Sequence, residues 1–164
     1  MNADTRRSLG VAEAGDVPAV RELWREYWDS LGLPNGFQNF AAERDALPGV
    51  YAAPRGRLLL ARVDGEIAGT IAMREWSAAA CEAKRLFVRP EFRGLGVASA
   101  LVRRLMDEAR AEGYREMYAD TLPSMSVALA LYRSLGFREV AAYGVEPTPG
   151  AIYLRLRLAS LESS

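Results

Sequence analysis

The feature that most constrains this chain is residues 86–102, LFVRPEFRGLGVASALV, where an apolar strand, a glycine turn and the start of a helix follow one another. Pro90 ends the strand because proline has no N–H to donate to a sheet. Gly94 and Gly96 have no Cβ, so an anion can approach the main chain closely there. The apolar residues that follow recur at helical spacing, namely Leu95, Ala98, Val102, Leu105, Met106 and Ala109. Because a helix N-terminus carries unpaired N–H groups and partial positive charge, this turn is predicted to bind phosphate.

The glycine turn resembles motif A of the GNAT superfamily of N-acetyltransferases, whose pattern Gln/Arg-x-x-Gly-x-Gly/Ala reads here Arg93-x-x-Gly96-x-Ala98. The resemblance implies that the turn holds the pyrophosphate of acetyl-CoA and that the preceding strand pairs with the pantetheine amides. The cofactor-binding residues so implied are Leu86, Phe87, Val88, Arg93, Gly94, Leu95, Gly96, Val97, Ala98 and Ser99. Arg93 either contacts the pyrophosphate or braces the turn.

A second motif lies in residues 128–137, ALALYRSLGF, which resembles GNAT motif B, A-x-x-L-Y-x-x-x-G-F. The resemblance implies that Tyr132 lies near the CoA sulfur and acts as general acid toward the departing thiolate. The alternative is that Tyr132 is a core residue with a hydrogen-bonded hydroxyl. The resemblance places Met125 and Ala128 at the pantetheine arm, and many relatives carry asparagine where this chain has Met125. The polar contact of that asparagine is therefore either lost or replaced by apolar packing of Met125, with Ser124 or Ser126 as a further substitute.

Polar residues interrupt the strand that leads to the glycine turn. Glu82 and Lys84 are predicted by strand alternation to share a face with Leu86 and Val88, which suggests that this half of the strand borders a cleft. Some relatives use a glutamate at such a position as general base, so the resemblance makes Glu82 a candidate base. The alternative is a structural ion pair of Glu82 with Lys84 or with an arginine, and a nearby lysine would lower the glutamate pKa and weaken it as a base.

Two further groups of residues have open roles. The aromatic residues Tyr27, Trp28, Phe37 and Trp76 either pack in the core or bind the acceptor substrate, the second interpretation coming from the resemblance. Asp120 and Thr121 end a predicted strand and either face the cleft or cap the helix that follows.

Composition excludes several classes of chemistry. The chain has no histidine, which removes Ser-His-Asp and Cys-His catalysis and the common zinc sites, and no metal is expected. Its 21 basic and 21 acidic residues balance, which argues against nucleic acid or an anionic membrane as the main partner. The one cysteine, Cys81, cannot form an internal disulfide, and we expect a cytoplasmic protein without signal peptide or membrane span.

The predicted elements alternate as β-α-α-β-β-β-α-β-α-β-β. The strands are predicted at 8–14, 57–63, 66–76, 81–88, 115–122, 137–143 and 151–158, and the helices at 16–31, 40–47, from the glycines to 112, and 123–134. This order predicts an α/β protein with a mixed, twisted sheet of about seven strands flanked by about four helices, which is the order of the single-domain GNAT fold. The domain is expected to span 7–160, with tails at 1–6 and 161–164.

The function implied by the resemblance is direct transfer of an acetyl group from acetyl-CoA to a primary amine within a ternary complex. The alternative is a GNAT-fold sensor or scaffold that binds acyl-CoA without transferring the acyl group. The expected partner is a small-molecule or peptide amine acceptor, and a homodimer is left open.

Overall fold

The computed structural model describes residues 8–34, 39–144 and 150–158. The predicted tails at 1–6 and 161–164 lie outside these residues. The described residues form seven strands, four α-helices and two short 3₁₀ turns. They are β1 Leu9–Glu13, α1 Val17–Leu31, α2 Phe40–Asp45, a 3₁₀ turn Gly49–Tyr51, β2 Arg57–Val63, β3 Glu66–Glu75, β4 Ala80–Val88, a 3₁₀ turn Pro90–Phe92, α3 Val97–Glu112, β5 Glu116–Thr121, α4 Ser126–Ser134, β6 Arg138–Val140 and β7 Ile152–Arg157. The predicted order of strands and helices is confirmed.

The strands form one mixed sheet in the order β1-β2-β3-β4-β5-β7-β6. Strands β4 and β5 are parallel neighbours, and the other neighbouring pairs are antiparallel. A parallel pair needs a crossover connection, and α3 supplies it between β4 and β5. The sheet therefore contains seven strands with helices on both faces, as predicted.

The parallel pair separates part-way along its length. Pairing of β4 with β5 ends where Ala83 lies opposite Ala119. Beyond that point β4 stays paired with β3 as far as Val88, and β5 stays paired with β7 as far as Thr121. The two strands thus form a wedge that opens between their C-terminal halves.

A β-bulge at Arg85 changes which side chains share a face of β4. Arg85 has φ 62°, and the pairing of β3 with β4 shifts register around it. Before the bulge, Ala83 belongs to the core under α3; after it, Leu86 and Val88 contact that same core. The prediction that Glu82 and Lys84 share a face with Leu86 and Val88 is therefore wrong, because one inserted residue inverts the alternation.

Each face of the sheet has its own core. The face under α3 and α4 is built from aliphatic residues such as Leu101, Leu105 and Met117. The face under α1 and α2 is built around large aromatic rings, including Trp24, Trp28, Phe40, Tyr51 and Phe87. The aromatic stripe of α1 is therefore mainly core, although part of it also reaches the wedge described below.

The helix ends agree with the sequence at the start of α1 and the end of α3, and differ in α2 and α4. The Asp16 side chain accepts a hydrogen bond from the Ala19 N–H at 3.1 Å, which caps α1, and Gly113 ends α3 with φ 95°. Helix α2 ends at Asp45 and not at Leu47. Pro123 does not open α4, which begins at Ser126 after a turn in which the Met125 N–H donates to the Leu122 carbonyl at 2.8 Å. The remaining strand predictions differ by a few residues at their ends, the largest change being the short β6.

No helix in the described part of the chain is long and apolar enough to cross a membrane.

Candidate active site in the wedge between β4 and β5

The wedge contains a cavity of about 340 Å³ that runs from the glycine turn toward α1 and α4. Most of the predicted cofactor-binding side chains lie on its wall: Leu86, Phe87, Val88, Arg93, Ala98, Met125 and Ala128. Tyr27, Ser30, Leu31, Ser124, Ser126, Val127 and Leu131 complete the wall. The cavity is mostly apolar and is bordered by the unpaired part of β4, which suits an extended, partly apolar arm more than a compact polar ligand.

The glycine turn presents main-chain groups at the end of this cavity. Gly94 and Gly96 both have positive φ, 81° and 83°, in the left-handed region that glycine adopts most easily. Helix α3 begins at Val97, so the N–H groups of Val97, Ala98 and Ser99 have no acceptor within the helix. A Cβ built at Gly96 would meet no atom within 4 Å, which leaves open space in front of these groups. The turn has the geometry that a phosphate site needs, and phosphate binding there stays a prediction.

Two residues of the turn serve structure through their side chains. The Val97 side chain is buried in the core, so only its main chain can face a ligand. The Arg93 Nε donates to the Val88 carbonyl at 3.1 Å, and its guanidinium lies 6.0 Å from the centre of the Phe87 ring. This contact supports the interpretation that Arg93 braces the turn. Leu95 lies before the helix and is exposed, so it is not part of the buried stripe of α3.

A second, smaller cavity of about 50 Å³ adjoins the first at the point where β4 and β5 separate. Both cavities share Tyr27, Leu31, Leu86, Met125 and Ala128. The smaller one adds Trp28 and Leu33 near α1, residues 83–85 of β4, Asp120, Thr121 and Leu122 after the separation, and Tyr132 of α4. Its wall is more polar than that of the larger cavity because charged side chains from both strands reach it.

Tyr132 reaches the smaller cavity from the core side. Its ring packs edge-on against Phe137 at 4.9 Å between centres, and the residue is 4% exposed. Burial raises the pKa of Tyr132, and the nearby Tyr27 and Asp120 raise it further. Burial likewise raises the pKa of Tyr27 to about 12. Tyr132 is therefore protonated at neutral pH and can donate a proton, which both sequence-based interpretations of this residue allow.

Glu82 lies within a network of ion pairs. Its Oε1 accepts from the Arg74 Nε at 3.1 Å, and its Oε2 lies 3.3 Å from the Tyr143 hydroxyl and 3.8 Å from the Lys84 Nζ. Its side chain is 5% exposed, and it lines neither of the two cavities. These contacts support the interpretation of Glu82 as an ion-pair partner, and its role as general base stays a prediction.

Asp120 is the carboxylate that does line the smaller cavity. Its Oδ1 lies 3.5 Å from the Lys84 Nζ, and both side chains are nearly buried. The alternative that Asp120 caps the next helix is wrong, because α4 begins at Ser126 and has no side-chain cap. Asp120 reaches the cavity because it follows Ala119, the last residue of β5 that pairs with β4, and this position is known only once the strand pairing is known.

A buried arginine that sequence analysis missed lies beside the wedge. The Arg85 guanidinium donates to the Glu43 Oε1 at 3.1 Å and lies 5.2 to 5.7 Å from the ring centres of Trp24, Trp28 and Phe40. Trp28 stacks on Phe40 at 4.0 Å and also lines the smaller cavity. The bulge places Arg85 on this face, and no local sequence signal marks an arginine for positive φ.

The other predicted acceptor-binding residues have different positions. Tyr27 lines both cavities. Trp76 lies apart from them and packs against Tyr118 and Tyr143, whose ring centres are 6.4 and 5.2 Å away. Phe37 lies outside the described residues. Within those residues, no cluster of three or more histidine, cysteine, aspartate or glutamate side chains could hold a metal ion.

Residues 17–137, which include the glycine turn and Tyr132, match the model of the acetyltransferase (GNAT) family. The chain belongs to the GNAT family. This GNAT protein is 34% identical over 146 residues to an uncharacterised N-acetyltransferase of Schizosaccharomyces pombe, covering 88% of this chain and 90% of the relative.

Solved structures of the same fold extend the comparison. A GNAT-family acetyltransferase from Staphylococcus aureus superposes with a TM-score of 0.76 at 18% identity, over 93% of this chain and all of the other. The PaiA N-acetyltransferase of Thermoplasma acidophilum, solved in complex with coenzyme A, superposes with a TM-score of 0.72 at 16% identity, over 92% and 99% of the two chains. At these identities the likeness concerns the fold.

Proposed function

We propose that this GNAT protein is an N-acetyltransferase that transfers an acetyl group from acetyl-CoA directly to a primary amine in a ternary complex. The observation that carries the proposal is the pair of adjoining cavities in one wedge, the larger beside the glycine turn and the smaller beside Tyr132. A diphosphate at the turn, an arm along the larger cavity and a thioester in the smaller one fit this arrangement in order.

The unpaired part of β4 suits the pantetheine arm. Between Leu86 and Val88, β4 is paired only with β3, so its other edge can exchange hydrogen bonds with the amides of the arm. The side chains of Met125 and Ala128 line the opposite part of the cavity and offer apolar contact. Met125 thereby replaces the polar contact that asparagine provides in many relatives, according to the resemblance.

Tyr132 is proposed to donate its proton to the leaving sulfur. The amine nitrogen forms a bond to the acetyl carbon, the carbon–sulfur bond breaks, and the sulfur leaves with its electron pair. The raised pKa of Tyr132 keeps the hydroxyl proton in place until negative charge develops on the sulfur.

The amine must lose a proton before it attacks. An alkylamine with pKa ~10.4 is neutral in only about one part in ~2,500 at pH 7, which corresponds to about 4–5 kcal/mol. Glu82 is the base that the resemblance implies, and Asp120 is a second candidate because it lines the smaller cavity. Asp120 can take the proton directly or through one water, whereas Glu82, which lines neither cavity, needs a water in between. Holding amine and thioester together in the wedge contributes more than either proton transfer.

The proposal is tested by incubating the purified protein with acetyl-CoA and a panel of primary amines, and measuring free thiol and the acetylated product by mass. The panel includes alkylamines, amino acids, polyamines, aminoglycosides and peptides with free N-termini or lysines, with an amine-free reaction to measure hydrolysis. The proposal expects amine-dependent thiol release with a matching acetyl mass increase. Saturable acetyl-CoA binding without transfer to any amine would instead support the sensor.

A further inference from the structure

The wall of the smaller cavity includes a threonine whose buried hydroxyl has no hydrogen-bond partner in the described part of the chain. Thr121 is 4% exposed, and its Oγ1 is buried without a partner among the described residues. The residue ends β5 and lines the smaller cavity but not the larger one. It therefore lies on the same cavity wall as Tyr132 and Asp120, and outside the cavity proposed for the pantetheine arm.

A second strand threonine shows how this chain normally treats a buried hydroxyl. Thr70 in β3 is fully buried, and its Oγ1 donates to the Leu59 carbonyl at 2.8 Å. Burying a hydroxyl without a partner costs the desolvation of that group, and a valine of nearly the same shape would avoid the cost. The unpaired hydroxyl of Thr121 is thus a structural disadvantage in the free protein, which a ligand could remove.

The charged residues around Thr121 indicate which kind of ligand group its hydroxyl can hydrogen-bond. The charged residues on the wall of the smaller cavity are Lys84, Arg85 and Asp120. Each has a partner of opposite charge, because Lys84 Nζ lies 3.5 Å from Asp120 Oδ1 and the Arg85 guanidinium lies 3.1 Å from Glu43 Oε1. Thr121 is a neutral donor and acceptor, which suits a neutral carbonyl better than a charged group. A thioester carbonyl is such a group, and in the proposed reaction it gains negative charge as the amine attacks.

We propose that the Thr121 hydroxyl donates a hydrogen bond to the carbonyl oxygen of the acyl thioester. This assignment rests on the proposed function, because it requires acetyl-CoA in the wedge. Thr121 then contacts the acyl group itself and distinguishes acetyl-CoA from free CoA.

The test compares Thr121→Val with Thr70→Val by titration calorimetry, using acetyl-CoA and CoA as separate probes, together with thermal unfolding. Thr121→Val is expected to weaken acetyl-CoA binding about five- to tenfold and CoA binding less than twofold, with an unchanged or higher Tm. Thr70→Val is expected to lower Tm and leave both affinities unchanged. Thr121→Ser, which keeps the hydroxyl, is expected to restore the acetyl-CoA affinity.

The outcomes separate this proposal from the one on which it rests. A wild-type protein that binds neither acetyl-CoA nor CoA would overturn the proposed function. A wild-type protein that binds both, with Thr121→Val weakening them equally or not at all, would overturn only the role of Thr121. A fall in Tm for Thr121→Val as large as that for Thr70→Val would also count against it, since the hydroxyl would then have a structural partner. If Thr121→Val does not fold, Thr121→Ala gives the same affinity comparison.

Discussion

The two halves of β4 differ in almost every respect although they belong to one strand. The N-terminal half, where Ala80 to Ala83 face Glu116 to Ala119, is paired with strands on both sides. The C-terminal half, from Leu86 to Val88, is paired on one side only and borders the larger cavity. The first half holds the sheet together, and the second leaves main-chain groups available for a ligand.

The charges follow the same division. Glu82 in the closed half and Lys84 at its end take part in ion pairs with Arg74 and Asp120. The open half carries the apolar side chains of Leu86, Phe87 and Val88 and leads into the glycine turn. The comparison teaches that the bulge at Arg85 is the boundary between a half that is paired on both sides and contains the ion-paired Glu82 and Lys84, and an apolar half with one open edge. The predictions below test the two sides of that boundary.

The largest effect is expected at the tyrosine beside the open half. Tyr132→Phe keeps the ring packed against Phe137 and removes only the hydroxyl, so turnover should fall about 10²–10³-fold through loss of the general acid. Steady-state kinetics with the best acceptor from the panel measure the change. Acetyl-CoA affinity serves as control and should change less than about threefold, within the range of a lost weak contact. A wild-type rate would make Tyr132 a structural residue.

The second-largest effect is expected at the glycine turn. Gly96→Asp places a carboxylate where the diphosphate should bind, and we expect CoA affinity to fall about 10–100-fold from like-charge repulsion. Gly96→Ala is the matched control, because both variants strain the positive φ but only one adds charge. Calorimetric titration with CoA compares them. Equal affinities for the two variants would remove the phosphate site from the account.

The two candidate bases lie in different surroundings, Glu82 in the closed half of β4 and Asp120 on the wall of the smaller cavity. Asp120→Asn should lower kcat/KM for an alkylamine about tenfold at pH 7, with the loss shrinking as pH rises and more of the amine becomes neutral.

Glu82→Gln is the matched variant in the closed half. It should instead lower stability by about 1–3 kcal/mol, because Arg74 and Lys84 lose a charged partner, and leave the pH profile of transfer unchanged. Kinetics from pH 6 to 9 and denaturant unfolding distinguish the two. The reverse pattern, with the pH-dependent loss in Glu82→Gln, would identify Glu82 as the base.

The smallest effect is expected in the pH dependence of folding stability, through Tyr27 on the cavity wall. Burial raises the pKa of Tyr27 to about 12, so the folded protein keeps this proton more tightly than the unfolded chain, whose tyrosine has a pKa near 10. The stabilisation of the folded protein by this protonated tyrosine is fully present below pH 10 and is lost as pH rises from 10 toward 12. At pH 10.5 the free energy of unfolding should have fallen by less than about 1 kcal/mol. Urea unfolding of wild type and Tyr27→Phe at pH 9 to 11 measures the difference. Parallel stability profiles for the two proteins would show that Tyr27 is not the group responsible.

The sequence predicts much of this molecule because its main signals are local. The apolar period of α1 and α3, the Asp64-Gly65 turn and the bounds of β2 follow from neighbouring residues alone, and β2 is Arg57–Val63 as predicted. The bulge at Arg85 was missed because strand alternation assumes a constant register. An arginine with positive φ has no local signature, and its position depends on Glu43 and on aromatic rings from distant parts of the chain.

Sequence motifs predict part of the candidate site, whereas the residues that reach it through strand pairing could not be predicted. The glycine turn and Tyr132 follow from short patterns at fixed spacing. Asp120 and Thr121 become cavity residues only because β4 and β5 separate after Ala83 and Ala119, which depends on the pairing of two distant segments. The sequence left the role of Asp120 and Thr121 open for this reason.

Hydrogen exchange measured with and without acetyl-CoA tests the central claim most directly. The account predicts that amides within 86–88 and 94–99 exchange about tenfold or more slowly when acetyl-CoA is bound, because the open edge and the glycine turn acquire hydrogen-bond acceptors. Amides within 80–83 should not change, since their strand is already paired on both sides. Unchanged exchange in both open segments at saturating acetyl-CoA would contradict the claim that this edge and turn bind the coenzyme.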